Sequence, residues 1–346
     1  MEPPFLFSPV PELTPAERFR LEKEDQIKDA IGRKDLIALQ RLAKTKGGLV
    51  TDALRRQAWP ILLGCDVEPK FVEDWTALPP HPDEDQAQLD VNRAFVYYPE
   101  DVPDAAMTKK REELWQLIVH VLRKHPRLSY YQGYHDVCQV VYLVFGLRRA
   151  LPVLEYLTLF RLRDFTMPSL QPAMEMLQLI PPLIGQIDRP LAQHLALTSP
   201  VYALSAMITL FAHDVQTYAD IVALFDFFFA AEDASLPVYL YATIMVKRRD
   251  ELLAFGEDEP EMLHAVLSRF PQPLPLDLND ALAMATALHT QYPPHTLQPG
   301  WGRVSPHSVL RTWRPPDPQE IPPPAAGRTP RRRKSSAARP PRAASR

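Results

Sequence analysis

Cysteine is nearly absent from this chain of 346 residues, with only Cys65 and Cys138, far apart. Neither a disulfide framework nor a cysteine metal site can be assembled from them, and a reducing compartment is the default. Glycine is scarce at 11 residues, while proline reaches 38. That balance suits helices joined by proline-bounded turns better than hairpins, which rely on glycine. Long apolar runs are missing too. The two longest, Val137–Leu147 and Val201–Ala212, are interrupted by Gln139 and by Ser205 and Thr209, and both fall short of the roughly 20 apolar residues that cross a bilayer. The opening Met1-Glu2-Pro3-Pro4 lacks the basic and apolar regions of a signal peptide. No glycine-rich phosphate loop leads into Lys-Ser/Thr, so the chain is expected to bind no nucleotide alone and to hold no cofactor of its own. His-Glu-x-x-His and Gly-x-Ser-x-Gly are absent as well.

What is present is ample core material, 46% hydrophobic residues with 23% charged, the balance of a globular protein. The net charge of −3 hides a split: eight of the 39 basic residues lie between Arg328 and Arg346 with no acid among them. The body is therefore strongly acidic, which argues against a nucleic-acid partner for the folded part.

Three regions separate by composition, 1–48, 49–310 and 311–346, and the middle one is divided further into a main domain and an extension. In residues 1–48, an N-terminal helical extension, Thr14-Pro15-Ala16-Glu17 predicts a helix start with Thr at the N-cap, Pro at N1 and Glu at N3. A short helix follows over about Asp35–Lys44, stopped by Gly47-Gly48. Residues 49–250 form the main domain, and residues 251–310 a C-terminal helical extension packed on it. In Arg111–Lys124, Leu114, Leu117, Ile118, Val121 and Leu122 fall on one face of a 3.6-residue period. Asp220–Phe229 repeats the pattern, and further helices are expected at 53–63, 130–145, 152–161, 170–178, 200–212, 238–252, 260–268 and 277–290. No stretch alternates with period two. The fold class is all-α. Residues 311–346 are rich in Pro and Arg and poor in apolar residues, the composition of a disordered tail.

Three segments could carry chemistry. Arg55-Arg56-Gln57-Ala58-Trp59 runs into Pro60-Ile61-Leu62-Leu63-Gly64. Gln88-Leu89-Asp90-Val91-Asn92-Arg93 sets Asp90 and Arg93 three apart. Ser129-Tyr130-Tyr131-Gln132-Gly133-Tyr134 places aromatic rings and an amide at the start of an apolar helix. Taken singly they are ordinary. Asp90 and Arg93 read as an i,i+3 surface pair worth a few tenths of a kcal/mol. Tyr130 to Gln132 reads as a helix-start cluster, and Trp59, Trp75 and Trp115 as core. The adjacent pairs His135-Asp136 and His213-Asp214 would splay about 100° apart on a helix, making neither a dyad nor a metal face. Asp136, Arg163 and Asp226 read as structural charges.

Together and in this order, these segments resemble the TBC family of Rab GTPase-activating proteins. An entrance Arg55…Trp59…Leu62-Leu63-Gly64 precedes an arginine-finger segment at Ala87…Asp90…Arg93 and a glutamine-finger segment at Tyr130…Gln132. The likeness continues through Ser205–Asp214 and Leu224–Phe228. Ala87 and Ser205 depart from the family's Ile and Trp. The resemblance implies a single large multi-helix TBC domain that donates Arg93 and Gln132 to GTP hydrolysis by a partner. Asp90, Arg55 and Tyr130 would support them, Tyr130 as a packing and interface aromatic and Arg55 as an electrostatic brace. The implied partner is a small GTPase of the Rab family in its GTP form, which holds the GTP and magnesium itself. Gly47-Gly48-Leu49 and Val238–Arg249 are most similar to the ER-associated branch, linked to Rabs of the ER-to-Golgi step. Action at the cytoplasmic face of the endoplasmic reticulum and early secretory pathway is therefore expected. That branch carries a C-terminal membrane helix with no counterpart in this sequence, so membrane association would use a missing or separate anchor. A non-catalytic TBC scaffold binding a GTPase or trafficking partner has the same fold; the presence of both finger residues favours the catalytic reading.

Overall fold

The computed structural model describes residues 13–67, 74–196, 198–256, 260–269 and 277–317. Among them every regular element is helical, in the order α1 (Pro15–Arg33), α2 (Leu36–Ala43), α3 (Asp52–Leu63), α4 (Glu84–Asn92), α5 (Asp104–Lys124), α6 (Tyr134–Phe145), α7 (Leu147–Phe160), α8 (Gln171–Leu177), α9 (Ile180–Ile187), α10 (Arg189–Leu195), α11 (Leu204–Ile208), α12 (Tyr218–Phe229), α13 (Leu236–Lys247), α14 (Arg249–Leu253), α15 (Pro260–Ser268), α16 (Leu278–Gln291), α17 (Gly300–Arg303) and α18 (Val309–Thr312). None of these helices is long and apolar enough to cross a membrane.

Local chemistry sets several boundaries where the residues dictate them. Thr14 caps α1, its hydroxyl accepting from the Glu17 N–H while the Glu17 carboxylate accepts from the Thr14 N–H. Asp35 caps α2 through the Ala38 N–H. Helix α2 ends at Ala43, earlier than the two glycines; Gly47 and Gly48 instead form left-handed turns with φ of 82° and 53°. The expected helix over 130–145 begins only at Tyr134, because Gly133 sits at φ 102° and breaks the helical path. The expected 200–212 helix is reduced to a 3-10 turn over Pro200–Ala203 and the short α11, which ends where Leu210 and Phe211 both take positive φ. The 238–252 segment divides at Arg248 into α13 and α14. Helix α4 was not among the expected helices; its sequence is polar, and only Ala87, Asp90 and Val91 are buried.

The core gathers around two elements. In α13 all ten residues from Leu236 to Met245 are buried, as a helix that is apolar all round requires, and it packs between α9 and α16. Trp59 of α3 is fully buried among Phe145, Phe225 and Phe229, with ring centroids 5.9, 6.1 and 4.9 Å away for Phe145, Phe225 and Phe229 respectively. Trp75 and Trp115, expected in the core, are only half-buried and meet edge to face. Residues 311–317, expected to belong to the tail, are packed at Trp313, which is buried with its ring 3.9 Å from the Arg161 guanidinium. Residues 1–12 and 318–346, including the basic stretch, lie outside the described residues.

Candidate functional site

Arg93 is the C-cap of α4, one turn after Asp90. The Asp90 side chain is completely buried, whereas that of Arg93 is 59% exposed. An isolated buried carboxylate is costly, so Asp90 needs donors. It has Arg93 Nη2 on Oδ1, the Tyr130 hydroxyl donating to Oδ2 at 2.8 Å and Gln86 Nε2 at 3.4 Å. The remaining guanidinium nitrogens of Arg93 have no partner among the described residues. Burial pushes the Tyr130 phenol well above its usual range, and the Asp90 charge beside it adds to this, so Tyr130 is a fixed hydrogen-bond donor.

Gln132 lies in the turn ahead of α6. It is exposed, and its amide has no hydrogen-bond partner among the described residues. Gly133 makes that turn possible in two ways. Its φ of 102° suits glycine, and a Cβ there would come within 2.8 Å of Thr209 Cγ2. Tyr131, beside Gln132, is buried, and its hydroxyl donates to the Ile208 carbonyl at 2.8 Å. The turn is thus seated directly on α11 and the segment after it.

Arg93 and Gln132 line one cleft of about 510 Å³. It is lined by the Ala94–Tyr98 loop, the start of α6, and Ser205, Thr209 and His213. Ser205, which departs from the family's Trp, therefore faces the candidate site rather than the interior. Asp136 and His213 do not act as members of two separate adjacent pairs. His213 Nδ1 lies 3.1 Å from Asp136 Oδ2, and His135 Nε2 lies 3.3 Å from Asp136 Oδ1, so the expected splay of His135 and Asp136 is corrected: the loop after α11 brings His213 onto α6. The bond to Asp136 raises the His213 pKa against the effect of burial, while burial lowers that of His135 against Asp136 and Asp90. Asp214 is buried with Oδ2 unpartnered, and burial pushes its carboxyl up to about 6. Among the described residues no cluster of His, Cys, Asp and Glu is arranged to hold a metal ion.

Arg55 lies elsewhere. It does not line the cleft; its Nε is 3.1 Å from both oxygens of Asp226, and its Nη1 is 3.0 Å from Asp52 Oδ1. Asp226 also accepts from the Leu49 N–H at 2.8 Å and Trp59 Nε1 at 2.6 Å. Burial pulls the Arg55 guanidinium pKa down, but Asp226 and Asp52 outweigh it and hold it above the usual value. The structure thus joins Arg93, Asp90 and Tyr130 in one network with Gln132 on the same cleft, and places Arg55 in a core ion pair. Sequence reasoning did not single out Gln139, whose Oε1 accepts from the buried Phe95 N–H at 2.7 Å and so holds the loop after Arg93. A buried amide inside an apolar helix was its only signal.

The Rab-GTPase-TBC domain family matches residues 52–253. The mouse protein TBC1 domain family member 20 is 36% identical over 266 residues, covering 76% of this chain and 65% of the relative; the chain thus spans a little under two thirds of that protein's length. The GTPase-activating protein gyp10 of Schizosaccharomyces pombe is 31% identical, over 83% of this chain and 78% of that protein. The crystal structure of the Chlamydomonas flagellar RabGAP TBC domain superposes with a TM-score of 0.54 at 16% identity, covering 80% of this chain and 97% of that domain, which speaks to the fold alone. On the match across 52–253 and the identity to these relatives, the chain belongs to the Rab-GTPase-TBC domain family.

Proposed function

We propose that this protein accelerates GTP hydrolysis by a Rab GTPase, inserting Arg93 and Gln132 beside the partner's nucleotide. The observation that carries this reading is their placement: two exposed polar side chains on one cleft, the first anchored by a single nitrogen to a buried carboxylate. Transfer of the γ-phosphoryl group to water needs charge neutralisation on the phosphoryl oxygens and an aimed water. A guanidinium stays protonated and offers a planar fork of donors, so the nitrogens of Arg93 not held by Asp90 can grip phosphoryl oxygens. The Gln132 amide, with a donor and an acceptor, can orient the attacking water. GTP and magnesium are brought by the partner, in its GTP form. The likeness of Gly47-Gly48-Leu49 and Val238–Arg249 to the ER-associated branch supports a Rab of the ER-to-Golgi step as substrate, acted on at the cytoplasmic face of those membranes.

The test is phosphate release from a panel of GTP-loaded Rabs. Wild type should accelerate at least one, with an ER-to-Golgi Rab the most responsive. Arg93→Ala should lose about 10³–10⁵-fold of the acceleration, and Gln132→Ala should fall steeply too, with melting temperatures unchanged. Tight binding of a GTP-loaded Rab without any acceleration would show a scaffold instead.

A further inference from the structure

Asp83 occupies the N-cap of α4, yet its carboxylate makes no capping bond to that helix. An Asp at this position ordinarily accepts from the second or third helical N–H. Here Oδ2 reaches across to another segment and accepts from the Tyr130 N–H at 2.8 Å. Beside it, His81 Nε2 lies 2.9 Å from the Leu128 carbonyl, and the same ring's Nδ1 accepts from the Asp83 N–H at 3.2 Å. A carbonyl can only accept, so Nε2 is the donor in that bond. The approach to α4 is therefore fastened to the chain entering the Gln132 turn.

The same two segments are joined again at the far end of α4. The Tyr130 hydroxyl donates to Asp90, and Gln139 on α6 holds the Phe95 N–H two residues past Arg93. Phe95 has a φ of 64°, a conformation a phenylalanine does not adopt unaided. Tyr130 is thus gripped at both its backbone and its hydroxyl by opposite ends of the helix that carries Arg93. Four side-chain ties hold the Arg93 segment and the Gln132 segment in register; Gln139 and Phe95 line the cleft, whereas His81, Asp83, Asp90 and Tyr130 do not.

We propose that Asp83 is a positioning residue: through the Tyr130 N–H it sets the Gln132 turn at a fixed offset from Arg93, so that both side chains arrive together at one phosphoryl group. This inference rests on the function proposed above. A turn left free to shift by about 1 Å loses the near-attack arrangement, an error that can reach about 10²-fold in rate. Asp83 is well suited to a test because its side chain is 36% exposed and its removal deletes no helix cap.

The experiment compares Asp83→Ala, Asp83→Asn and wild type on the GTP-loaded Rab that wild type accelerates most, well below every melting temperature. Hydrogen–deuterium exchange of each protein alone is read in parallel. In Asp83→Ala, exchange should rise over residues 129–133 and kcat should fall about tenfold or more, with KM within about twofold of wild type. Asp83→Asn keeps an oxygen acceptor and should restore both readouts. The proposal is overturned if Asp83→Ala keeps wild-type kcat, if it raises KM alone, or if Asp83→Asn is as impaired as Asp83→Ala. Loss of acceleration by wild type across the whole panel would instead overturn the GTPase-activating reading, and the positioning role with it.

Discussion

Arg55 separates a structural from a catalytic role more cleanly than any other charged side chain in the fold. Replacing it by Met keeps much of the aliphatic stem and removes the guanidinium that faces Asp226. The Asp226 carboxylate, with no exposed surface, would be left with the Leu49 N–H and the Trp59 indole as its donors. Breaking a buried pair from one side costs about 3–5 kcal/mol. A domain's total stability is about 5–15 kcal/mol. At about 2–4 °C for each kcal/mol in a chain of this order of size, the melting temperature should drop by about 6–20 °C. Removing both charges, as in Arg55→Met with Asp226→Leu, should recover a large part of that loss, since no uncompensated charge remains. Thermal melts by circular dichroism check the stability. GTP hydrolysis at 15 °C checks the chemistry, with kcat and KM expected near wild type for whatever fraction is folded. A variant that melts like wild type yet loses most of its kcat would refute the assignment and return Arg55 to the site.

Three further outcomes follow from individual contacts. Gly133→Ala places a Cβ within 2.8 Å of Thr209 Cγ2 at a φ of 102°; it should cost about 2 kcal/mol and lower kcat by shifting Gln132, while adding Thr209→Ser relieves the contact but not the backbone strain. Asp214 titrates at about 6 in the folded state against an ordinary value of 3.8, because burial disfavours its charge. The unfolded chain therefore ionises first, and stability falls as pH rises from about 4 to 6, then stays reduced. Urea melts should show Asp214→Asn gaining about 1–3 kcal/mol over wild type at pH 8 and little at pH 4. Trp313→Ala should cost about 3 kcal/mol or more, because it uncovers the buried Arg161 guanidinium stacked on that ring; phosphate release at low temperature should stay near wild type.

Much of the fold was legible because its signals are local. The Thr14–Glu17 cap and the apolar face of α5 depend on residues three or four apart. The left-handed pair Leu210-Phe211 was not legible, since neither residue type favours that conformation and only the packing around α11 imposes it. The break at Gly133 is hidden differently: two tyrosines ahead of an apolar run look like helix, and the close approach of Thr209 that excludes a Cβ there comes from far along the chain. Arg93 and Gln132 were named by resemblance, and their shared cleft is a tertiary fact that their spacing does not contain.

The polar ties between distant segments escaped sequence reasoning most completely, and they follow one rule. An all-α chain has no sheet ladder to fasten its loops, so the unpaired N–H groups at helix ends and turns must find acceptors elsewhere. Buried or half-buried aspartates supply them. Asp226 takes the Leu49 N–H together with Arg55 and Trp59. Asp164, in the turn after α7, takes the Ser308 hydroxyl at 2.5 Å and the Val309 N–H at 3.1 Å, fastening the start of α18. Asp83 and Asp90 take the two ends of Tyr130. In sequence only Asp90 stands out, by resemblance, and nothing in the neighbours of any of the four marks the distant partner it meets. At the cleft this general device has a particular consequence. Because one tyrosine answers to two aspartates at the ends of the helix that leads to Arg93, the folded chain ties the exposed Arg93 and Gln132 into one framework before any partner arrives.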